Sequence, residues 1–321
     1  MTRIFLLLLC VLLMTGCGGA DTSDISQTLP ASQAEQTEYI SYVPSQYFRK
    51  SGNGGQVIVE HYGSRDYTSG EAITKTAYVY LPNGYDGTKR CNIFYLMHGW
   101  TMTAGSFFSD SNLVEMFDNM TEAGLIEPLI VVCATFDAQN SPQNFSRSTE
   151  ELLVFHHDLR DNLMPYIEAK YRTYAEDVTP EGLRRSRDHR AFGGFSLGAV
   201  TTWHQFIYSL DCVKYFLPMS GDCWIMGTYG GRYHPEETTE YLEGVVHEVG
   251  YGEEDFCIYE GIGTDDPIWT QTNNQIQAMM KTDTFTPLNL HYAILEGGRH
   301  DLIACETYMF HGLQKFFGRQ K

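Results

Sequence analysis

The sequence predicts an α/β fold: a mostly parallel central sheet with helices on both faces. Three observations predict it. Strand-like and helix-like segments alternate from Asn92 to Phe317, the order that βα repeats impose. The run Asn92-Ile93-Phe94-Tyr95-Leu96-Met97 is apolar almost throughout, as expected of a strand covered on both faces. The turn Gly194-Phe195-Ser196-Leu197-Gly198 lies between an apolar run and a helix-compatible run, Ala199 to Ser209.

The chain has 321 residues, 43% hydrophobic and 13% aromatic. That is enough for one large α/β domain or two small ones. A net charge of −18 disfavours binding to a phosphate backbone, so nucleic acid is not an expected partner. A neutral or weakly charged substrate is compatible.

Residues 1–17 read as a secretory signal. Arg3 supplies the positive start, and Ile4 to Met14 is apolar but too short to span a bilayer. The segment ends Met14-Thr15-Gly16-Cys17. Small residues followed at once by cysteine resemble a bacterial lipobox, which marks Cys17 for lipidation and makes an N-terminal lipid anchor the expected membrane contact. Residues 18–38 are rich in Gly, Ser, Thr, Asp and Gln and read as a tether. The folded domain is expected over 39–321. The remaining cysteines, Cys91, Cys133, Cys212, Cys223, Cys257 and Cys305, have neither C-x-x-C nor zinc-ligand spacing, and their pairing is not readable.

Within the domain, Gln56–Glu60 and Thr76–Leu81 read as strands, with Ser64 to Gly70 as a turn region between them. Asn92–Met97 follows and runs into His98-Gly99-Trp100-Thr101. Asn112 to Ala123 has helical spacing, and Pro128 to Ala134 is another buried strand. Ser148-Thr149-Glu150-Glu151 is a capping-box pattern. The helix it opens is expected to kink or shorten at Pro165. Thr179 to His189 is polar. After the serine turn come a strand over Lys214–Met219, a helix over Glu236–Val249 and a strand over Asp255–Tyr259. A helix over Asn274–Met280, a last strand over Leu288–Leu295 and a closing helix over Leu302–Phe317 complete the chain.

Ser196 is the candidate nucleophile. A serine on a sharp strand-to-helix turn needs glycines two before and two after, so that strand and helix can approach. The motif arises by chance about once in ten chains this long, so its weight depends on partners. Ser196 requires a base, because a hydroxyl is barely ionised at neutral pH. His300 follows the final strand in a glycine-flanked loop, and loops at strand C-termini crowd one edge of such a sheet. His98 is the rival, although its place after the central strand suits shaping an oxyanion hole. His156, His157, His204 and His311 sit in helical stretches. The base requires a carboxylate to hold its tautomer. Asp222, Asp265 and Asp266 all follow strands. Asp266, after the penultimate strand, leads; Asp265 and Asp222 are alternatives. The oxyanion requires two aimed donors. The Leu197 amide is one, and the Trp100 amide, in the loop after Met97, is the other. Trp100 and Trp224 are candidates to line an aromatic-accepting pocket, with His98, Gly99 and Asp222 beside them.

Five motifs then fall into one order: His98-Gly99, Gly194-Phe195-Ser196-Leu197-Gly198, Ser220-Gly221-Asp222-x-Trp224, Gly263-Thr264-Asp265-Asp266 and Gly297-Gly298-Arg299-His300. In this the chain resembles the esterase D-like carbohydrate esterases of the α/β-hydrolase superfamily. Bacterial feruloyl esterase domains of xylan-degrading systems are the nearest type. The resemblance covers about Tyr80 to Phe317 and selects Asp266 as the triad acid, the last aspartate of a Gly-[Thr/Ser]-x-Asp pattern. It implies a serine carboxylesterase acting on ester-decorated polysaccharide such as xylan, feruloyl esters for preference, with no metal or cofactor. The alternatives are an acetyl-xylan or short-chain esterase, and a non-enzymatic surface glycan-binding lipoprotein. Two departures bear on substrate choice: Trp100-Thr101 stands where the family often has glycines, and Asp301-Leu302 where aromatics are common.

Overall fold

The computed structural model describes residues 35–319 apart from 51 and 53. The signal segment and Cys17 lie outside the described residues. The strands are β1 Thr37–Ile40, β2 Gln56–Arg65, β3 Ala72–Leu81, β4 Asn92–Met97, β5 Leu129–Ala134, β6 Arg190–Phe195, β7 Tyr215–Met219, β8 Cys257–Gly263 and β9 Leu290–Leu295. They form one sheet in the order β1-β9-β8-β7-β6-β4-β5-β3-β2. Every pair from β1 to β5 along that order is parallel, while β3 runs antiparallel to β5 and to β2. The main helices are α1 Leu113–Glu122, α2 Phe145–Asp158, α3 Leu197–Ser209, α4 Pro235–Val249, α5 Trp269–Met279 and α6 Leu302–Phe317.

Strands β4, β5, β6, β8 and β9 are buried along their whole length because both faces are covered. Ile93, Tyr95 and Met97 enter a core shared with Leu152 of α2, Trp203 and Phe206 of α3, Leu242 of α4 and Ile276 of α5. Phe94 and Leu96 point the other way, into a core built with Phe117 of α1 and with Tyr308, Leu313 and Phe316 of α6. Each such side chain stabilises the fold by roughly 1.5–3 kcal/mol relative to exposure.

One charged pair is built into this frame. Arg190, at the start of β6, meets Glu168 at 2.7 Å with both side chains 1% exposed. Tyr95 Oη donates to the same carboxylate at 3.0 Å. The pair ties the helix Met164–Lys170 to the root of the strand that carries the serine turn.

The structure adds to or departs from the sequence reading at five places. The hairpin β2–β3 is longer at its turn end, so that Gln56–Arg65 pairs in full with Ala72–Leu81. The capping box does not cap: α2 starts earlier, at Phe145, with the Asn144 side chain accepting from Arg147 N at 3.1 Å. Ser148 is drawn instead to Asp137, donating to Oδ1 at 2.8 Å. Pro165 is accommodated by a π-turn, Leu159–Leu163, and sits in the first turn of Met164–Lys170, where a missing N–H costs least. The polar stretch before β6 holds a short helix, Pro180–Arg185, capped by Thr179, and α5 begins at Trp269 rather than Asn274. In α5, Gln271, Thr272 and Gln275 are buried along with Ile276, Ala278 and Met279, so the apolar signature covers only the second half of the helix.

Candidate active site

Parallel strands deliver their C-terminal ends to one edge, and the loops after β4, β6, β7, β8 and β9 meet there. Ser196 joins β6 to α3 with φ 59° and ψ −116°, a conformation that costs a non-glycine residue about 1–3 kcal/mol and needs support from its surroundings. Support comes from both sides of the residue. Ser196 N–H donates to Met219 O at 2.9 Å, and its carbonyl accepts from Ala199 N at 2.8 Å. The glycines are required by space. A Cβ at Gly194 would lie 2.4 Å from Gly198 O, and one at Gly198 would lie 2.3 Å from Met97 O.

The loops after β8 and β9 pack backbone against backbone. A Cβ at Gly263 would lie 2.1 Å from Gly298 O, and Asp265 N–H donates to Gly298 O at 3.0 Å. This approach brings His300 Nδ1 to 2.9 and 3.1 Å from the two Asp266 carboxylate oxygens. The Asp266 side chain is fully buried, and His300 is 27% exposed. Ile268 N–H also donates to Asp266 Oδ1, at 2.9 Å. The Phe195 ring lies 4.6 Å from the His300 ring, so the imidazole is held on its face as well as at Nδ1. Nε2 is left for the serine side. Ser196 Oγ makes no hydrogen bond among the described residues; catalytic contacts of this kind often tighten only when substrate is bound.

The other two aspartates do not meet His300. Asp265 is exposed. Asp222 is buried and accepts from Trp224 Nε1 at 2.9 Å and from Arg232 N at 3.3 Å. Burial pushes its carboxyl up to about 6. Glu260 on β8 is wholly buried, and burial raises its carboxyl well above the usual range.

His98 is unsuited to be the base. It is 1% exposed, and burial pushes its pKa down to about 4. Both ring nitrogens are occupied, Nδ1 by Gly99 O at 2.8 Å and Nε2 by Thr135 Oγ1 at 2.7 Å. A carbonyl can only accept, so Nδ1 carries the proton and Nε2 accepts from Thr135. The consequence falls on the next peptide. Gly99 O and Trp100 N–H belong to one trans peptide group and point in opposite directions; pinning the carbonyl to His98 therefore aims the Trp100 amide away from it. Gly99 lies against the elbow, where an added Cβ would be 3.3 Å from both Phe195 O and Ser196 Cβ. Among the described residues, neither Trp100 N–H nor Leu197 N–H has a hydrogen-bond partner. Leu197 N–H also opens α3, at the positive end of that helix.

Trp100 and Trp224 belong to one aromatic chain. The exposed Trp100 ring packs edge-on against Phe145 at 5.2 Å, Phe145 lies 6.2 Å from Trp224, and Trp224 lies 5.2 Å from Tyr229. Trp100 Nε1 donates to Gln143 O. Phe145 and Tyr229 carry no sequence signal for this role, because only the packing of α2 beside the loop after β7 brings them to it. No group of three or more His, Cys, Asp or Glu side chains that could hold a metal occurs among the described residues.

A mixed, mostly parallel sheet with a serine elbow after β6 defines an α/β-hydrolase. Residues 73–303 match the family described as "Putative esterase", and the chain belongs to that family of carboxylic ester hydrolases. It is 34% identical over 298 residues to endo-1,4-beta-xylanase Y of Acetivibrio thermocellus, covering 90% of this chain and 26% of that one. It is 27% identical over 186 residues to an endo-1,4-beta-xylanase/feruloyl esterase of Xylanibacter ruminicola, covering 56% of this chain and 23% of that one. The chain thus spans about a quarter of the length of these curated relatives. Among solved structures, it is similar to a serine-to-alanine mutant of the feruloyl esterase module from Clostridium thermocellum complexed with sinapinate. There the identity is 31% and the TM-score 0.78, over 88% of this chain and 94% of that one. A ferulic acid esterase from the anaerobic fungus Anaeromyces mucronatus, 18% identical with a TM-score of 0.63 over 85% of this chain and 95% of that one, shares the fold.

Proposed function

We propose that this esterase hydrolyses feruloyl esters on a xylan-type polysaccharide through a Ser196–His300–Asp266 triad. The observation that carries the reading is the contact of His300 Nδ1 with the buried Asp266 carboxylate, at the same sheet edge as a strained serine elbow. In this reading Ser196 Oγ attacks the ester carbonyl carbon while His300 Nε2 takes its proton. The tetrahedral oxyanion is held by the Leu197 and Trp100 amides. His300 then returns the proton to the departing sugar oxygen, leaving an acyl-serine. Water enters, gives a proton to His300 and attacks the acyl carbon, and the acid is released as Ser196 recovers its proton. The negative charge that Asp266 places behind His300 stabilises the imidazolium at each attack. The residues that do this need no metal or cofactor.

The aromatic chain of Trp100, Phe145, Trp224 and Tyr229 supports a planar aromatic acyl group as the preferred substrate. The relatives named for xylan and ferulate point to the same substrate class. Extracellular action fits that substrate, with the protein held at a bacterial surface by a lipid on Cys17 through the segment that precedes β1; the tether expected over 18–38 is shorter, because Thr37 and Glu38 pair with Tyr292 and Ala293 of β9.

The test is hydrolysis of methyl ferulate, acetylated xylan and nitrophenyl acetate by wild type and Ser196→Ala. Wild type should favour methyl ferulate, and the variant should lose roughly 10³-fold or more in turnover with its fold intact. A variant within tenfold of wild type refutes the triad. A wild type that favours acetyl esters moves the assignment to an acetyl or short-chain esterase.

A further inference from the structure

We infer that Asp222 is a positioning residue for acyl-group selection, acting through the Trp224 indole rather than on His300. The inference deepens the aromatic-acyl reading above and rests on it. Asp222 begins the segment between β7 and α4, and that segment is fastened at both ends. At its start Ser220 N–H donates to Gly261 O at 2.8 Å, and Gly221 O accepts from Trp203 Nε1 of α3 at 3.1 Å. Gly221 also lies against the elbow, where a Cβ would come within 2.8 Å of Ser196 O. Beside Asp222, Gln275 of α5 accepts from Cys223 N at 2.7 Å, and at the far end Asn274 Nδ2 donates to Arg232 O at 3.2 Å.

Between these fastenings, the Asp222 carboxylate joins the two limbs. One oxygen receives the Trp224 indole N–H and the other the Arg232 amide. Trp224 is 6% exposed, so its ring orientation is set from within, by the acceptor at Nε1 and by the edges of Tyr229 and Phe145. Asp222 is 2% exposed and holds no contact with His300, so its charge serves the indole. An acetyl ester presents no ring to such a wall, whereas a feruloyl ring can lie against it. Asp222 therefore acts on the choice between acyl groups more than on the bond-breaking step.

Asp222→Asn tests this. The amide keeps one acceptor and turns an NH2 group toward the other donor, so the clamp cannot close on both limbs. The ratio of kcat/KM for methyl ferulate to that for nitrophenyl acetate should fall about tenfold or more, a loss in the range set by one pocket contact. The loss should appear mainly as a higher KM for the ferulate ester. Trp224→Phe should lower the same ratio, and the double variant should be no worse than the more impaired single one, since both remove one interaction. Tryptophan emission should change in Asp222→Asn, and that change should vanish in the Trp224→Phe background. Equal losses on both esters, additive losses in the cycle, or an emission change that persists without Trp224 would each overturn the inference. If wild type shows no preference for aromatic esters, the substrate reading fails, and the emission cycle alone then decides whether Asp222 positions Trp224.

Discussion

Ser196 holds a left-handed backbone that only its surroundings permit, and those surroundings are mostly other backbone. Gly194, Gly198, Gly99 and Gly221 all stand where a Cβ would meet a neighbour within 3.3 Å. The elbow is therefore a close backbone crossing, with its side chain the one group left free to react. The acid is decided at the same scale. Asp266 and Asp265 are adjacent, yet one is buried against His300 and the other exposed. Asp266→Asn should cut turnover by about 10⁴-fold, because an amide cannot stabilise the imidazolium and can trap the wrong tautomer. Asp265→Asn should change kcat/KM by no more than a few-fold. Both are read as methyl ferulate kinetics at matched melting temperatures, and a crippled Asp265→Asn beside an active Asp266→Asn would reverse the assignment.

At the scale of elements, α2 and α3 bring His156 and His204 each against the Tyr208 ring. His204 on α3 is 3% exposed, and both of its ring nitrogens lack partners. Burial pushes its pKa down to about 4, and neighbouring His156 lowers it further. The sign follows from proton counting. Between about pH 6.5, where an unfolded histidine titrates, and pH 4, the unfolded chain holds a proton at this position that the folded one refuses. Wild type loses stability across that window as pH falls. His204→Leu removes the liability, so its stability relative to wild type should rise by about 2–3 kcal/mol between pH 7.5 and 4.5. Urea melts at the two pH values measure this, and a difference independent of pH would contradict it. The buried pair beneath β6 carries a second prediction. Glu168→Ala strands the Arg190 guanidinium without its partner and should cost about 3–5 kcal/mol, read as a lower urea midpoint.

At the scale of the whole molecule, β1 runs parallel to β9. The chain therefore enters the sheet at the edge opposite the catalytic loops. In the proposed attachment, the segment that carries the lipid joins the fold at that end. Among the described residues, no helix is long and apolar enough to cross a membrane; the proposed attachment is through Cys17. Cys17→Ala should abolish lipid labelling and move the protein out of the membrane fraction while ferulate hydrolysis in detergent is unchanged. Persistent labelling in that variant would end the lipobox reading.

What the sequence determined by itself is the order of elements and the candidates for the reactive groups. The strand Asn92–Met97 and the helix Leu302–Phe317 are readable to the residue, since one is an unbroken apolar run and the other a long helix closing the alternation. Ser196 and His300 are readable because glycine spacing and strand ends are local signals. Tertiary structure alone decided what touches what. Asp222, Asp265 and Asp266 look alike along the chain, and the backbone crossing of Gly263 with Gly298 delivers one of them to His300. Asn144 caps α2 because Ser148 is drawn to Asp137, and Phe145 joins the aromatic chain because α2 packs beside the loop after β7. Local pattern reports which groups prefer burial, turning or helix; contacts between residues far apart in the chain form only when two sheet-edge loops close on each other.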